Sequence, residues 1–330
     1  MITTLVGNYP KVAERGYSTK LIGTITKWQR KELTDAQLEE TCREITKAVI
    51  REQEQAGLDL LTDGQTRWED LVTPIARALG GFEINGLSRW FNNNVYYRRP
   101  ILHKAPVWKG PILAEQYRFA KRAATKPVKA VLPGPYTFAL VSEDRFYKKL
   151  RPFALKMAEI LNQEAKALAA AGAALIQFDE PAIGFGPLPG AGKTDIKLAI
   201  EALNLAARNV GAKTAVVTYF GALNGSLSAL MRSAVDVVGV DVVSEPKTLN
   251  VLKRTRITKE LAVGCLDGRN TKLESVAQLH AIFRAVNKLA PRGGLYVSPN
   301  CGLEFLPHTQ ALAKVKRLVE AARSFRGGKN

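Results

Sequence analysis

Short apolar runs punctuate the chain at 5–7, 60–63, 130–132, 175–179, 215–218, 237–241, 261–265 and 295–298, each bounded by Gly, Pro or Asp. Successive side chains of a strand point to opposite faces, so a nearly unbroken apolar run predicts a strand buried on both. The longer stretches between these runs carry a helical period. The stretch 34–55 opens on a possible N-cap, Thr34, places Leu38, Ile45, Val49 and Ile50 at helical spacing, and meets Gly57 just beyond its end. Helices are predicted on the same grounds at 151–171, 196–209, 273–289 and 309–325.

Eight parallel-type strands alternating with helices predict an α/β fold of the (β/α)8, or TIM, barrel type. An open doubly wound sheet fits less well. Its glycine-rich fingerprint belongs after the first strand, where the chain reads VGNYPKVAERG. One barrel domain over 1–330 is expected, with an aromatic, turn-rich insertion at about 81–116 that reads as a hairpin-like excursion after the second strand, near the barrel mouth.

Composition narrows the function classes. The chain has 330 residues, 46% hydrophobic and 24% charged, as expected of a water-soluble globular protein. No apolar run approaches the roughly 18 residues of a transmembrane helix, and the start MITTLVGNYP has no basic segment ahead of an apolar core. A cytoplasmic protein without a membrane partner is expected. Its three cysteines, Cys42, Cys265 and Cys301, are scattered and expected to stay reduced. A formal charge of +18 favours an anionic partner. Lys and Arg are spread along the whole chain with no nucleic-acid-binding module, so a nucleic-acid partner is not expected.

In a barrel of this kind chemistry sits at the C-terminal ends of the strands. Here those ends carry Asn8 and Tyr9, Asp63 and Gln65, Gly134 and Tyr136, Asp179 and Glu180, Thr218 and Tyr219, Asp241, Cys265 and Asp267, and Asn300 and Cys301. Each carboxylate alone reads equally well as a helix cap, but several converging on one face make a candidate site. Cys301, in SPNCGL after the last strand, is a candidate metal ligand or nucleophile; Cys301, Asp241 and Cys265 are a candidate set of three zinc ligands. GPLPGAGKT, at 186–194, misses the phosphate-loop pattern by one residue. The three histidines, His103, His280 and His308, show no ligand spacing. Trp90, Phe91, Tyr96 and Tyr97 suit either a planar ligand or the packing of the hairpin.

Five pieces in order, TTLVGNYPK, GLDLLTDGQTRWED, LPGPYTF, LIQFDEPAIG and VSPNCGLEFLP, resemble the cobalamin-independent methionine synthase family, whose barrels are related to uroporphyrinogen decarboxylase. They span essentially the whole chain, which is similar to the short single-barrel form, one half of the double-barrel enzymes. The resemblance implies a methyltransferase. In the family, zinc held by a His-x-Cys, a Glu and the Cys of an NCGL-like motif activates the thiol of homocysteine, which receives the methyl group of methyltetrahydrofolate.

Residue by residue, Cys301 matches the last zinc ligand and Asp179 the Asp of DEPA. The His-x-Cys position reads VVTYFG, with Val217 or Thr218 and Tyr219 or Phe220 in its place. Asp241 stands for the Glu ligand, Gln65 for the acid that grips the amino group, Asn8 for a serine and Val141 for the aromatic that stacks on the pterin. The resemblance thus implies a thiol-directed methyltransferase with a degenerate zinc site and a folate or corrinoid methyl donor. Asp179 and Cys301 are its expected catalytic residues; Asn8, Gln65, Asp179, Glu180 and Tyr219 are expected to bind the substrate. TYFG also resembles the non-zinc half of the long enzymes. The alternative is therefore a non-catalytic barrel working with a second, catalytic one, and an acidic donor protein is a further possible partner.

Overall fold

The computed structural model describes residues 1–10, 17–93, 95–185, 193–223, 225–291 and 293–326. Its strands, in chain order, are β1 (Ile2–Thr3), β2 (Gly80–Ile84), β3 (Ser88–Arg89), β4 (Tyr96–Tyr97), β5 (Pro100–Val107), β6 (Ala130–Pro133), β7 (Glu143–Asp144), β8 (Leu175–Asp179), β9 (Lys213–Val217), β10 (Val237–Asp241), β11 (Glu260–Leu266) and β12 (Leu295–Pro299). Seven of them form one sheet in the order β1-β12-β11-β10-β9-β8-β6, parallel at every step. The sheet curls shut through Leu60 and Leu61, which bridge in parallel to Thr4 on one side and Val128 on the other. An eight-membered parallel barrel results, as the alternation of apolar runs and helices predicts.

Strand alternation sorts the barrel lining. Leu60, Leu175, Ala215, Val237 and Tyr296 pack together as an inner plug. Counting on by two from each plug residue gives Gln177 and Asp179 on β8, Asp241 on β10, and Ser298 and Asn300 at the end of β12, with Tyr219 just past β9. The interior is therefore apolar below and polar above. The helices cover the outside with faces such as Cys42, Ile45, Val49 and Ile50 of Asp35–Ala56. That helix starts with a capping box between Thr34 and Gln37 and stops at Gly57, whose φ of 95° is the left-handed conformation that glycine tolerates best. No helix among the described residues is long and apolar enough to cross a membrane.

The insertion is a β-structure, as expected: β2 pairs antiparallel with β5, and β3 with β4. One buried carboxylate ties it to the barrel's helical layer. Glu164, on the helix Leu150–Ala170, accepts from Trp108 Nε1 at 2.8 Å and from the backbone N–H groups of Ile112 and Leu113 at 2.8–3.0 Å. Glu164→Ala leaves these donors unpaired and is expected to cost about 3 kcal/mol of stability. A urea midpoint that does not move would remove this tether. The glycine-rich 186–194 segment falls largely outside the described residues, at 186–192.

Candidate functional site

The polar upper layer is a column of hydrogen bonds along the barrel interior. Asp179, at the C-terminal end of β8 and 2% exposed, accepts at Oδ1 from Gln177 Nε2 at 2.6 Å and at Oδ2 from the Tyr219 hydroxyl at 3.2 Å. Gln177 Nε2 also donates to the carbonyl of Val6 at 2.8 Å, while its Oε1 accepts from Lys129 Nζ at 2.6 Å. Lys129 Nζ donates in turn to the carbonyl of Leu5 at 2.5 Å. Burial pushes Asp179 up to about 7, against the donors Gln177 and Tyr219 and the charge of Lys129. It pulls Lys129 down to about 7, which Asp179 partly opposes. Tyr219 is held well above its ordinary value by burial and the neighbouring carboxylates. Lys129 and Gln177 were missed in the sequence. Their signal was a Lys and a Gln in runs whose other positions are apolar, VKAVL and LIQF.

Glu180 takes no part in lining the site. Its carboxylate is fully buried and turned back on the start of the helix Pro135–Val141, accepting from the N–H groups of Tyr136 at 2.9 Å and Thr137 at 2.8 Å and from the Thr137 hydroxyl at 2.6 Å. Burial lifts it to about 7 although these donors favour the charged form. The carboxylate expected among the substrate-binding groups thus caps this helix.

At the mouth a cavity of about 40 Å³ is lined by Asn8, Asp70, Trp90, Tyr97, Tyr219 and Glu304, among others. A larger, mainly apolar cavity of about 670 Å³ lies beside it, between the helices Tyr17–Gln29 and Asp35–Ala56 and the hairpin, and shares the wall Glu69, Asp70 and Tyr97. Two buried polar atoms in the loop after Leu61 lack a hydrogen-bond partner among the described residues: Gln65 Nε2 and Asp70 Oδ2. Asp70 Oδ1 is occupied, capping the N–H groups of Val72 and Thr73 at 2.8 and 2.7 Å. Gln65 adopts a left-handed φ of 48°, and so does Phe220 at 72°. Such backbone is costly for non-glycine residues and concentrates at functional sites.

The aromatic residues of the insertion mostly pack against one another. Trp90 meets Phe91 and Tyr97 edge-on, and Phe91 meets Phe185 and Phe220. Tyr97 donates its hydroxyl to the carbonyl of Val141, so the hairpin itself abuts the place where the family resemblance puts a pterin-stacking ring. Tyr96 is the exposed one. Arg269 lies 5.2 Å over the Phe220 ring and reaches Asn92 and Ser244, tying the hairpin to the rim.

The donor set considered for zinc does not fit the metal. Both oxygens of Asp241 are taken: Oδ1 by the N–H groups of Val243 and Ser244 at 2.8 Å, Oδ2 by Phe220 N–H and Asn300 Nδ2 at 3.2 Å. Cys265 lies at an irregularity of β11, where the pairing with β12 shifts between Gly264 and Leu266. Ala262, three residues earlier on β11, packs on the inner plug, whereas Cys265 belongs to the main core, donates to the carbonyl of Ser298, and is pushed by burial up to about 12. Cys301 is fully buried, donates to the carbonyl of Gly302, and is held well above its usual value by burial and by Glu304 and Asp241. Among the described residues no three of His, Cys, Asp and Glu come together as a metal cluster.

The fold and the sequence have clear relatives. A family model described as the catalytic domain of the cobalamin-independent synthase matches residues 1–324. The methionine synthase of Sulfolobus acidocaldarius is 30% identical over 320 residues, covering 96% of this chain and 90% of its own. That of Saccharolobus solfataricus is 28% identical, with 98% and 94% covered. A B12-independent methionine synthase from a Shewanella species, solved with selenomethionine, superposes with a TM-score of 0.82 at 23% identity, covering 97% of this chain and 96% of that one. A putative vitamin-B12-independent methionine synthase from Listeria monocytogenes does so at 0.76 and 16%, covering 98% and 97%. A match to the catalytic half along nearly the whole chain does not favour the reading as a non-catalytic partner barrel. With the ordered motifs, the barrel and these relatives together, the chain belongs to the cobalamin-independent methionine synthase family.

Proposed function

We propose that this protein methylates the sulfur of homocysteine or a closely related thiol amino acid, with a folate or corrinoid as methyl donor. The observation that carries the reading is Asp179: a buried carboxylate at a strand's C-terminal end, with neutral donors on both oxygens, one of them Tyr219 of the mouth cavity. The unpartnered atoms nearby supplement it. Asp70 Oδ2 is a second acceptor for an ammonium, and Gln65 Nε2 a donor for a carboxylate, so the loop offers both polarities that a zwitterionic amino acid requires. Asn8 and Tyr219 line the same mouth. The selenomethionine bound by the Shewanella neighbour is chemically a methylated product analogue, which supports an amino-acid ligand here.

In the reaction the sulfur loses its thiol proton and forms a bond to the methyl carbon while the donor departs with the electron pair of the broken bond; the proton ends on the departing nitrogen of a folate or, with a corrinoid, in solvent. The protein's contribution is orientation: with the amino-acid end anchored at Asp179, the sulfur is held toward the donor in a site closed to bulk water. The charge of +18 favours anionic donors, either a polyglutamylated folate or an acidic donor protein. The proposal sets the reaction in the cytoplasm, where thiols stay reduced.

Cys301 enters the proposal as part of the wall behind the mouth. Its neutral, buried thiol suits a small hydrophobe better than a nucleophile. Incubation with homocysteine and either methyltetrahydrofolate or methylcobalamin is expected to yield methionine, and Cys301→Ala to retain activity within about tenfold of the parent. A larger loss, accompanied by one zinc per chain in the parent and none in the variant, would return Cys301 to a metal site. No methionine from either donor, together with no binding of methionine, would overturn the proposed reaction.

A further inference from the structure

Lys129 has no place in the methyl transfer just described, yet its ammonium is buried in the barrel at 4% exposure. Register explains the geometry. Val131 pairs with Gln177 and Pro133 with Asp179, so Lys129, two residues before Val131 on the same face, lies one layer below Gln177 and two below Asp179. Burying an ammonium costs several kcal/mol unless hydrogen bonds and a counter-charge offset it. The bonds are those to Leu5 and Gln177, and the counter-charge is Asp179, reached across the Gln177 amide.

That amide has only one acceptable orientation. An ammonium donates and cannot accept, so Gln177 must turn Oε1 toward Lys129. Its Nε2 is then forced toward Val6 O and Asp179 Oδ1, both acceptors. Without Lys129 the amide is free to rotate, and a protonated Asp179 becomes an equally good partner for it. The other ionisable groups facing Asp179 push the same way or donate weakly. Glu304 and neighbouring Glu180 disfavour its charge, and Tyr219 offers a single hydroxyl.

We propose that Lys129 is a positioning residue: it fixes the orientation of Gln177 and, through that amide, keeps Asp179 an ionised acceptor for the cationic end of an amino-acid substrate. The substrate half of this statement rests on the proposed function; the control of Asp179 by Lys129 does not.

The test uses the full chain labelled with ¹³C at aspartate carboxyls, the Asp179 resonance being assigned by its loss in Asp179→Asn. Lys129→Met keeps the length of the side chain and removes the charge. It is expected to raise the Asp179 midpoint by at least about one pH unit and to weaken methionine binding at pH 7 about fivefold or more, the fall in ionised carboxylate when a midpoint near 7 moves up by one unit. The deficit in binding should shrink at alkaline pH, where Asp179 ionises even in the variant. Should Lys129→Met fail to fold, Gln177→Asn carries the test, because it keeps an amide but shortens it so that it no longer spans Lys129 and Asp179; the same upward movement is expected.

A purely structural lysine would lower stability and leave the Asp179 midpoint where it was, and that result overturns the proposal. Wild-type protein that binds no methionine, with the midpoint shifted in the variant, refutes the proposed substrate and supports the role of Lys129. Wild-type protein that binds methionine with an unmoved midpoint in the variant does the reverse.

Discussion

Asp179→Asn is expected to lower kcat/KM about a hundredfold, the upper range for one charge-assisted hydrogen bond in a buried site. Asn is nearly isosteric, and its amide oxygen accepts from Gln177 Nε2 while its Nδ2 donates to the Tyr219 oxygen, so the column survives in outline. What disappears is the negative charge, both for the substrate ammonium and as counter-ion to Lys129. The pH profile separates these losses from a packing defect. Burial raises Asp179 to about 7, so the parent's kcat/KM should fall as pH drops through neutrality and the carboxylate takes up its proton. In the Asn variant that acidic limb should be absent. A variant that keeps the limb, or that loses less than about threefold, would show that the substrate is held elsewhere.

The largest effect on stability is expected from Gly134→Ala. Gly134 has an ordinary φ of −75°, so the backbone has no objection to alanine. The obstacle is steric: an added Cβ would sit 2.1 Å from the Glu180 carboxyl carbon. Glu180 has no freedom to retreat, because three donors from Tyr136 and Thr137 hold it at the start of the helix Pro135–Val141. Either the helix shifts or the carboxylate loses its donors, at a cost of about 3–5 kcal/mol. Denaturant titration would measure it. A double variant with Glu180→Ala should be less destabilised than the sum of the single changes, since the second substitution removes the clash. Simple additivity would mean that the two residues do not meet.

Much of the scaffold was legible in the sequence because burial on both faces leaves an unbroken apolar run, and 175–179 and 237–241 are the observed β8 and β10. The run 5–7 misled for a physical reason. It is buried, but it leaves the ladder after Thr4, and its carbonyls accept from side chains instead: Leu5 from Lys129, Val6 from Gln177 and Gly7 from Thr62. Apolarity reports burial and says nothing of which donor satisfies a carbonyl.

At the site, Asp179 and Tyr219 were named because they end apolar runs, and strand alternation puts them on the face of the inner-plug residues Leu175 and Ala215. Glu180 and Cys265 were read as facing that mouth too, but Cys265 lies in the main core at an irregularity of β11 and bonds to the Ser298 carbonyl. Position 180 was undone by its neighbours, since two helical N–H groups offered its carboxylate better partners than any ligand. Lys129 stayed hidden because a lysine two residues after Pro127 looks like solvent-facing chain, and only the register shows that it points inward.

Closure of the barrel joins the two ends of the sequence. Thr3 of β1 pairs with Val297 of β12, 294 positions later, and Leu60 and Leu61 complete the ring by single bridges. On a ribosome adding about 5–20 residues per second, β1 waits roughly 15–60 s for its partner strand to be made. During that wait its N–H and C=O groups have no permanent neighbour on that side, and the interior that Lys129 and Asp179 share stays open to water. The Lys129–Asp179 column takes two of its bonds from the carbonyls of Leu5 and Val6, just past that open strand, so it is sealed from water only once the ring has closed. Nascent chains should pass through a water-filled, unsealed stage in which neither buried charge yet pays its desolvation cost.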